Sequence, residues 1–302
     1  MATKTSSLRG NLMIIAATFI WGAGYVAQSS GMYYVAPFTF NAIRFAIGGT
    51  VAIGPALFFL VRQKSMTKEN VPVAISKNTL TAGIICGSVL CLAINLQQFG
   101  ILFTTVANAS FITTLYVIMV PIASFIFFRK KAVVFVWISV ALAIIGIYFL
   151  SLSGRLYVNL GDILVFLCAI AFTAQILIIS HFSPKHNVIA LACVQFYVVS
   201  VISLILALIF ETPSIAAILA AAPYVLYTGL LSSGVAYILQ MKAQKTTDAT
   251  VAAVLFSFEG VVAALVGWFV LSQFLTPREL LGCTLIFIAI LAAQVPSLRR
   301  GD

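Results

Sequence analysis

Apolar runs of about twenty residues, each stopped by a charge, a Pro or a Gly, follow one another along almost the whole chain. A helix of that length spans the hydrocarbon core of a bilayer, about 30 Å at roughly 1.5 Å per residue. The boundaries predict ten such helices, at about 11–30, 37–61, 79–102, 106–128, 132–152, 160–181, 187–210, 222–241, 247–271 and 278–296. Of the 302 residues, 62% are hydrophobic and 8% charged, against roughly 45–50% and about 25% in a soluble domain. An isolated soluble core cannot hide that much apolar surface, which excludes a soluble enzyme, a disordered chain and a large extramembrane catalytic domain. Barrel strands alternate apolar with polar residues, so a β-barrel does not fit either. The chain reads as an all-α integral membrane protein. The basic stretch from Lys4 to Arg9 imitates a signal peptide. The apolar run after it is longer than a signal core and has a counterpart later, so it is expected to stay as a span.

The formal charge of +10 would suggest nucleic acid in a soluble protein, but the basic residues sit between the apolar runs. Fourteen of the seventeen fall on one set of helix ends: Lys4, Arg9, Arg62, Lys64, Lys68, Lys77, Arg129, Lys130, Lys131, Lys185, Lys242, Lys245, Arg299 and Arg300. Only Arg155 and Arg278 fall on the other set, and Arg44 lies inside a span. Positively charged loops stay cytoplasmic. The split therefore predicts an even number of spans with both termini cytoplasmic, in an inner or plasma membrane. The expected surroundings are the lipid bilayer, with no nucleic acid. The five cysteines, Cys86, Cys91, Cys168, Cys193 and Cys283, lie within apolar runs without C-x-x-C spacing and read as small buried hydrophobes.

A shift of 151 residues lays Gly10-Asn11 on Gly161-Asp162, Trp21 on Phe172, Ala23 on Ala174 and Arg44-Phe45 on Gln195-Phe196. Further on, a shift of about 140 lays Asn108-Ala109-Ser110 on Asp248-Ala249-Thr250. The matches keep their order and suggest two five-helix halves, 1–154 and 155–302. Because five is odd, the second half enters the membrane from the opposite side. Inverted repeats of this kind are a signature of secondary transporters, so a carrier is the leading expectation.

The pattern Trp21-Gly22, then Pro37-Phe38 through Arg44-Phe45, then Asn108-Ala109-Ser110-Phe111-Ile112-Thr113 running to Val120-Pro121, resembles the EamA branch of the drug/metabolite transporter superfamily. Leu255 to Gly260 and the segment from Leu271 through Pro277 to Gly282 resemble that branch's repeated module. The chain departs from the pattern at Phe128-Arg129 and Gln273, where the family often has an acidic residue, and at Glu259-Gly260, where it often has Glu-Pro. The resemblance implies ten helices, a central cavity made by the first, third, fourth, sixth, eighth and ninth, and movement of small metabolites, more often outward. An amino acid or related amphipathic compound is the cargo expected, and a monomer or homodimer the assembly.

A charged side chain within a span costs about 3 kcal/mol on insertion scales and normally faces a cavity or a partner. Arg44 lies about 10 Å into the second helix, where its guanidinium can hold a carboxylate or phosphate in a bidentate fork. It can equally snorkel outward or pair with Glu259. Glu259, near the middle of the ninth helix, is the candidate for proton coupling as well as substrate contact. Polar side chains at helical spacing complete the expected lining. They are Thr18, Trp21, Gly22, Tyr25 and Ser29; Ser88, Cys91, Asn95 and Gln98; Ser110, Thr113 and Tyr116; and Gly229, Ser233, Ala236 and Gln240 with Tyr237 beside them. Of these, Trp21, Tyr25, Asn95, Gln98, Thr113, Tyr116, Tyr237 and Gln240 join Arg44 and Glu259 as candidate binding residues. The competing reading for each is an interhelical hydrogen bond. Gly83 to Gly87 forms a G-x-x-x-G packing motif, and Pro121 should bend the fourth helix.

No P-loop motif occurs, so ATP is not an expected partner, and no H-E-x-x-H or paired carboxylates appear in a span. No catalytic residue, metal or cofactor is expected. An intramembrane enzyme acting on lipid or isoprenoid, and a receptor that transports nothing, remain the alternatives.

Overall fold

The computed structural model describes residues 4–67, 76–104, 106–129, 134–151, 159–271 and 276–299. Thr105, Lys68, Lys130, Lys131, Arg155, Gln273 and Arg300 lie outside them. Among the described residues there are helices and turns and no strand. The first half carries α1 (Lys4–Gly31), α2 (Pro37–Thr67), α3 (Lys77–Phe103), α4 (Val106–Thr113), α5 (Tyr116–Phe128) and α6 (Val134–Ser151). The second carries α7 (Leu160–Phe182), α8 (Val188–Phe210), α9 (Ile215–Ala220), α10 (Ala222–Tyr227), a π-helical segment (Thr228–Ala236), α11 (Tyr237–Ala243), α12 (Ala249–Phe256), α13 (Phe258–Leu271) and α14 (Pro277–Arg299).

Seven spans among the described residues are long and apolar enough to cross a membrane: Leu8–Gly31, Lys77–Phe103, Ala109–Phe128, Leu160–Phe182, Val188–Phe210, Ala222–Ala243 and Ala249–Val270. The apolar stretches Val134–Gly146 and Leu280–Ala289 are shorter. Large side chains on the outside confirm that the bundle expects lipid there: Phe127 is 75% and Phe210 70% exposed.

The helix starts follow from short-range chemistry. Pro37 and Pro277 open α2 and α14, where a missing N–H leaves no bond unmade. Ser76, Asn187 and Asp248 accept from backbone N–H groups of α3, α8 and α12, and Asn159 with Asp162 forms a reciprocal capping box on α7. Glu211, just past α8, accepts from the N–H groups of Phe38 and Thr39, both at 2.8 Å, and so caps α2 as well.

Three of the ten expected spans are irregular among the described residues, numbered here as the sequence predicts them. The fourth breaks at Thr114–Leu115, between α4 and α5, rather than at Pro121, which lies inside α5. The ninth breaks at Ser257, between α12 and α13. Side-chain hydroxyls serve carbonyls at both breaks: Thr114 Oγ1 donates to Phe111 O at 2.8 Å and Ser257 Oγ to Val254 O at 2.6 Å. The eighth span carries the nine-residue π segment between α10 and α11.

The principal packing pairs all join the two halves: α2 with α8, α6 with α14, α3 with α7 and α8, and α1 with α13 and α11. Glycines make these approaches close. A Cβ on Gly87 would stand 2.7 Å from Val198 Cβ and 2.8 Å from the Gln195 carbonyl, and one on Gly83 would stand 2.5 Å from Val194 Cβ. The G-x-x-x-G motif is thus the seat of α8. Gly22 meets Val262 and the Glu259 carbonyl in the same way, and Gly146 meets Ile286 and the Gly282 carbonyl.

The two Gly-Asn/Asp pairs that the 151-residue shift superposes do the same job at opposite ends of the bundle. Gly10 packs on Thr247, whose Oγ1 donates to Asn11 Oδ1 at 3.2 Å. Gly161 packs on Gly100 and Thr104, and Thr104 Oγ1 donates to Asp162 Oδ1 at 2.6 Å.

Replacing Gly87 by Ala should lower the melting temperature in detergent or nanodiscs, since overpacking costs about 1–3 kcal/mol. Gly54, whose Cβ would meet nothing within 4 Å, is the control. There Ala should be neutral or stabilise by up to about 1 kcal/mol through helix propensity.

Candidate functional site

A narrow cavity of about 40 Å3, room for a few waters, lies where the two halves meet. Its aromatic wall is built around Trp21. The indole lies 4.9 Å from the Tyr237 ring and 5.6 Å from Phe256, centroid to centroid, and its Nε1 donates to the Ser232 carbonyl of the π segment at 3.2 Å. Phe172 and Ile176 on α7 also line it. These residues stand at the positions related to Trp21 and Tyr25 by the 151-residue shift, just as Phe256 stands 140 residues after Tyr116.

The acidic side of the cavity sits on the two helix breaks. Glu259 opens α13 just after Ser257, and Tyr116 opens α5 just after Leu115. Tyr116 Oη donates to Glu259 Oε1 at 3.1 Å. Beside them, Gln97 Nε2 donates to Tyr25 Oη at 2.9 Å and, more weakly, to Thr113 Oγ1 at 3.5 Å. Thr113 in turn donates to the Ala109 carbonyl at 2.7 Å.

The basic side is Arg44 on α2, 1% exposed. Its guanidinium carbon lies 5.0 Å from the Phe45 ring centroid and 5.8 Å from Phe40, which gives cation–π support. Its Nε and Nη1 have no hydrogen-bond partner. Gly229 of the π segment packs against Ile47 and the Arg44 carbonyl, which lets the eighth span lie close to α2 here. Gln240 Nε2 donates to Gln175 Oε1 at 3.1 Å, and the other ends of this pair, Gln175 Nε2 and Gln240 Oε1, are buried without partners.

The structure therefore gathers Trp21, Tyr25, Arg44, Thr113, Tyr116, Tyr237, Gln240 and Glu259 around one space. Asn95 and Gln98 lie outside it. Asn95 accepts from Asn41 at 3.0 Å and donates to the Cys91 carbonyl and to Ser203, an interhelical junction of α2, α3 and α8. Gln98 is fully buried with neither amide atom paired. Helix α3 is turned so that Ile94 and Gln97, one step around from the expected seam, face the cavity. Thr18 is bonded to the Ile15 carbonyl, and Ser233 is buried without a partner. Gln28, Gln97, Gln175 and Ser232 line the cavity without having been expected there. Gln28 follows Trp21 and Tyr25 at helical spacing and was legible on that ground.

A family model described as the EamA-like transporter family matches the chain twice, over residues 8–152 and 159–293. An uncharacterized transporter of Archaeoglobus fulgidus is 32% identical over 97% of this chain and 88% of its own length. The uncharacterized transporter YoaV of Bacillus subtilis is 25% identical over 92% of this chain and 94% of its own. A crystal structure with 16% sequence identity superposes with a TM-score of 0.77, covering 98% of this chain and all of the other, and so has the same fold.

The Tyr116–Glu259 bond predicts a measurable coupling. In a double-mutant cycle of Tyr116→Phe and Glu259→Gln, followed by thermal or chemical unfolding, the two changes should interact by about 1 kcal/mol or more. Strict additivity would show that the bond contributes nothing.

Proposed function

The chain belongs to the EamA-like transporter family, a multi-pass membrane protein of transporter kind, and on that premise we propose that it is a secondary carrier that works by alternating access. The observation that carries this reading is the cavity itself, enclosed by both repeats and holding one buried cation and one buried carboxyl. Ten spans, both termini in the cytoplasm and halves at 1–154 and 155–302 complete the arrangement. The charge asymmetry of the loops supports that orientation. Small amphipathic metabolites, such as amino acids, are the proposed cargo, since the lining mixes aromatic rings with polar and charged side chains and would widen as the halves move. The ten residues expected to bind reduce in this reading to the eight that line the space, joined by Gln97 and Gln175.

Alternating access gives the two end contacts opposite roles. Opening one end separates Asn11 from Thr247, and opening the other separates Asp162 from Thr104. Asn11→Cys with Thr247→Cys, or Thr104→Cys with Asp162→Cys, should form a disulfide under mild oxidation. Either cross-link should stop counterflow in proteoliposomes, and reduction should restore it. Flux that continues through both cross-linked proteins would refute the mechanism.

Glu259 is proposed as the proton carrier, because it is the acidic residue lining the cavity and its hydrogen bond to Tyr116 gives the proton a defined neighbour. Flux in reconstituted vesicles should respond to an imposed proton gradient in the wild type. In Glu259→Gln the ratio of flux with and without the gradient should fall to one. A wild type indifferent to the gradient would remove proton coupling from the proposal.

A further inference from the structure

A column of buried amides leads from the cavity toward the end of the bundle that carries Lys185 and Lys245. Gln175 and Gln240 line the cavity and bond each other at 3.1 Å. About one turn further along both helices, Gln244 Nε2 donates to the Ile176 carbonyl at 3.0 Å and to Ser180 Oγ at 2.9 Å. Beyond them lies the contact of Asn11 with Thr247. Helix α7 packs chiefly on α3, α4 and α5, and α11 on α1 and α8, so side-chain bridges rather than close backbones join α7 to α11 here.

Each bridge is half made. Gln175 Nε2, Gln240 Oε1 and Gln244 Oε1 are buried without a partner, and so is Asn11 Nδ2. An unpaired buried polar atom weakens the packed arrangement that holds it. A seam closed in this way loses little on parting, since water then serves the broken bonds and the spare atoms together. The repeat does not reproduce the bridges at the other end. The shifts that relate the two halves set Gly24 and Gly100 against Gln175 and Gln240, and Ser29 and Thr104 against Ser180 and Gln244. A glycine has no side chain with which to bridge, and Gly100 packs on Val165 and Gly161 while Thr104 donates to Asp162.

We propose that the two amide bridges are a latch on the gate at the Lys185 end, the end assigned above to the cytoplasm. Closed, they hold α7 against α11 next to the cavity; parted, they line the passage by which cargo enters or leaves. The latch rests on the alternating-access reading and names where that motion opens this end.

Ile176→Cys supplies a reporter, because Ile176 lines the cavity and its carbonyl survives the change. A membrane-impermeant maleimide is applied to inside-out and right-side-out vesicles carrying the full-length protein, and labelling is counted over that of the same chain without the new cysteine. With Gln244 intact, label should reach the site from both faces. Gln244→Leu should speed labelling from the face bearing Lys185 about fivefold, the worth of one net hydrogen bond, without speeding it from the other. Ser180→Ala, which removes one of the two bonds of Gln244, should shift the ratio the same way by less. A ratio unchanged in both variants overturns the latch, and so does an equal rise from both faces, which marks a merely structural role. Label reaching Ile176→Cys from one face at most, with Gln244 intact, is the separate result that removes alternating access and the latch with it.

Discussion

Helices in lipid gain nothing from hiding apolar faces against one another, because the lipid is as apolar as they are. Cohesion has to come from backbones that approach closely and from polar groups that bond across the gap. In this bundle the close approaches join one half of the chain to the other: Gly22 to α13, Gly83 and Gly87 to α8, Gly100 to α7, Gly146 to α14 and Gly229 to α2. Each half depends on the other for its packing, and the cavity lies on that shared surface.

The same constraint accounts for the irregular helices. A continuous span keeps its backbone bonds within itself and offers little to a ligand. The breaks at Thr114–Leu115 and Ser257 place Tyr116 and Glu259 on first turns that face the cavity. The π segment carries the Ser232 carbonyl that accepts from Trp21. Irregular backbone concentrates at the cavity, where side-chain hydroxyls and ring N–H groups can serve it, and π segments often mark such sites.

Much of this was readable from residue order. The apolar runs and the Pro, Ser, Asn and Asp residues that open the helices are local signals; the described residues are helical as expected, and seven of the ten expected spans are long and apolar enough there to cross a membrane. The repeat was readable too, since the shift that superposes Trp21 on Phe172 places both on the cavity. The third helix was less legible. Its polar seam through Cys91, Asn95 and Gln98 looked like a lining, yet Asn95 bonds Asn41 and Ser203 while Gln97 faces inward. A polar side chain in a span must find a polar neighbour, and spacing along one helix cannot say whether that neighbour is a ligand space or another helix.

Length, apolar content and charge placement are properties of the chain before it folds, and they suffice for a helical membrane protein built on a repeat. They do so because the bilayer imposes the same length and polarity on every span. The rotation of each helix about its axis depends on partners far away in the chain, and it settles which polar residues face the cavity. The separation of Arg44 from Glu259 belongs to that second category. Two lone charges in a greasy sequence invite pairing, and the packing of the two halves instead gives the carboxyl to Tyr116 and leaves Nε and Nη1 of the guanidinium buried without a partner.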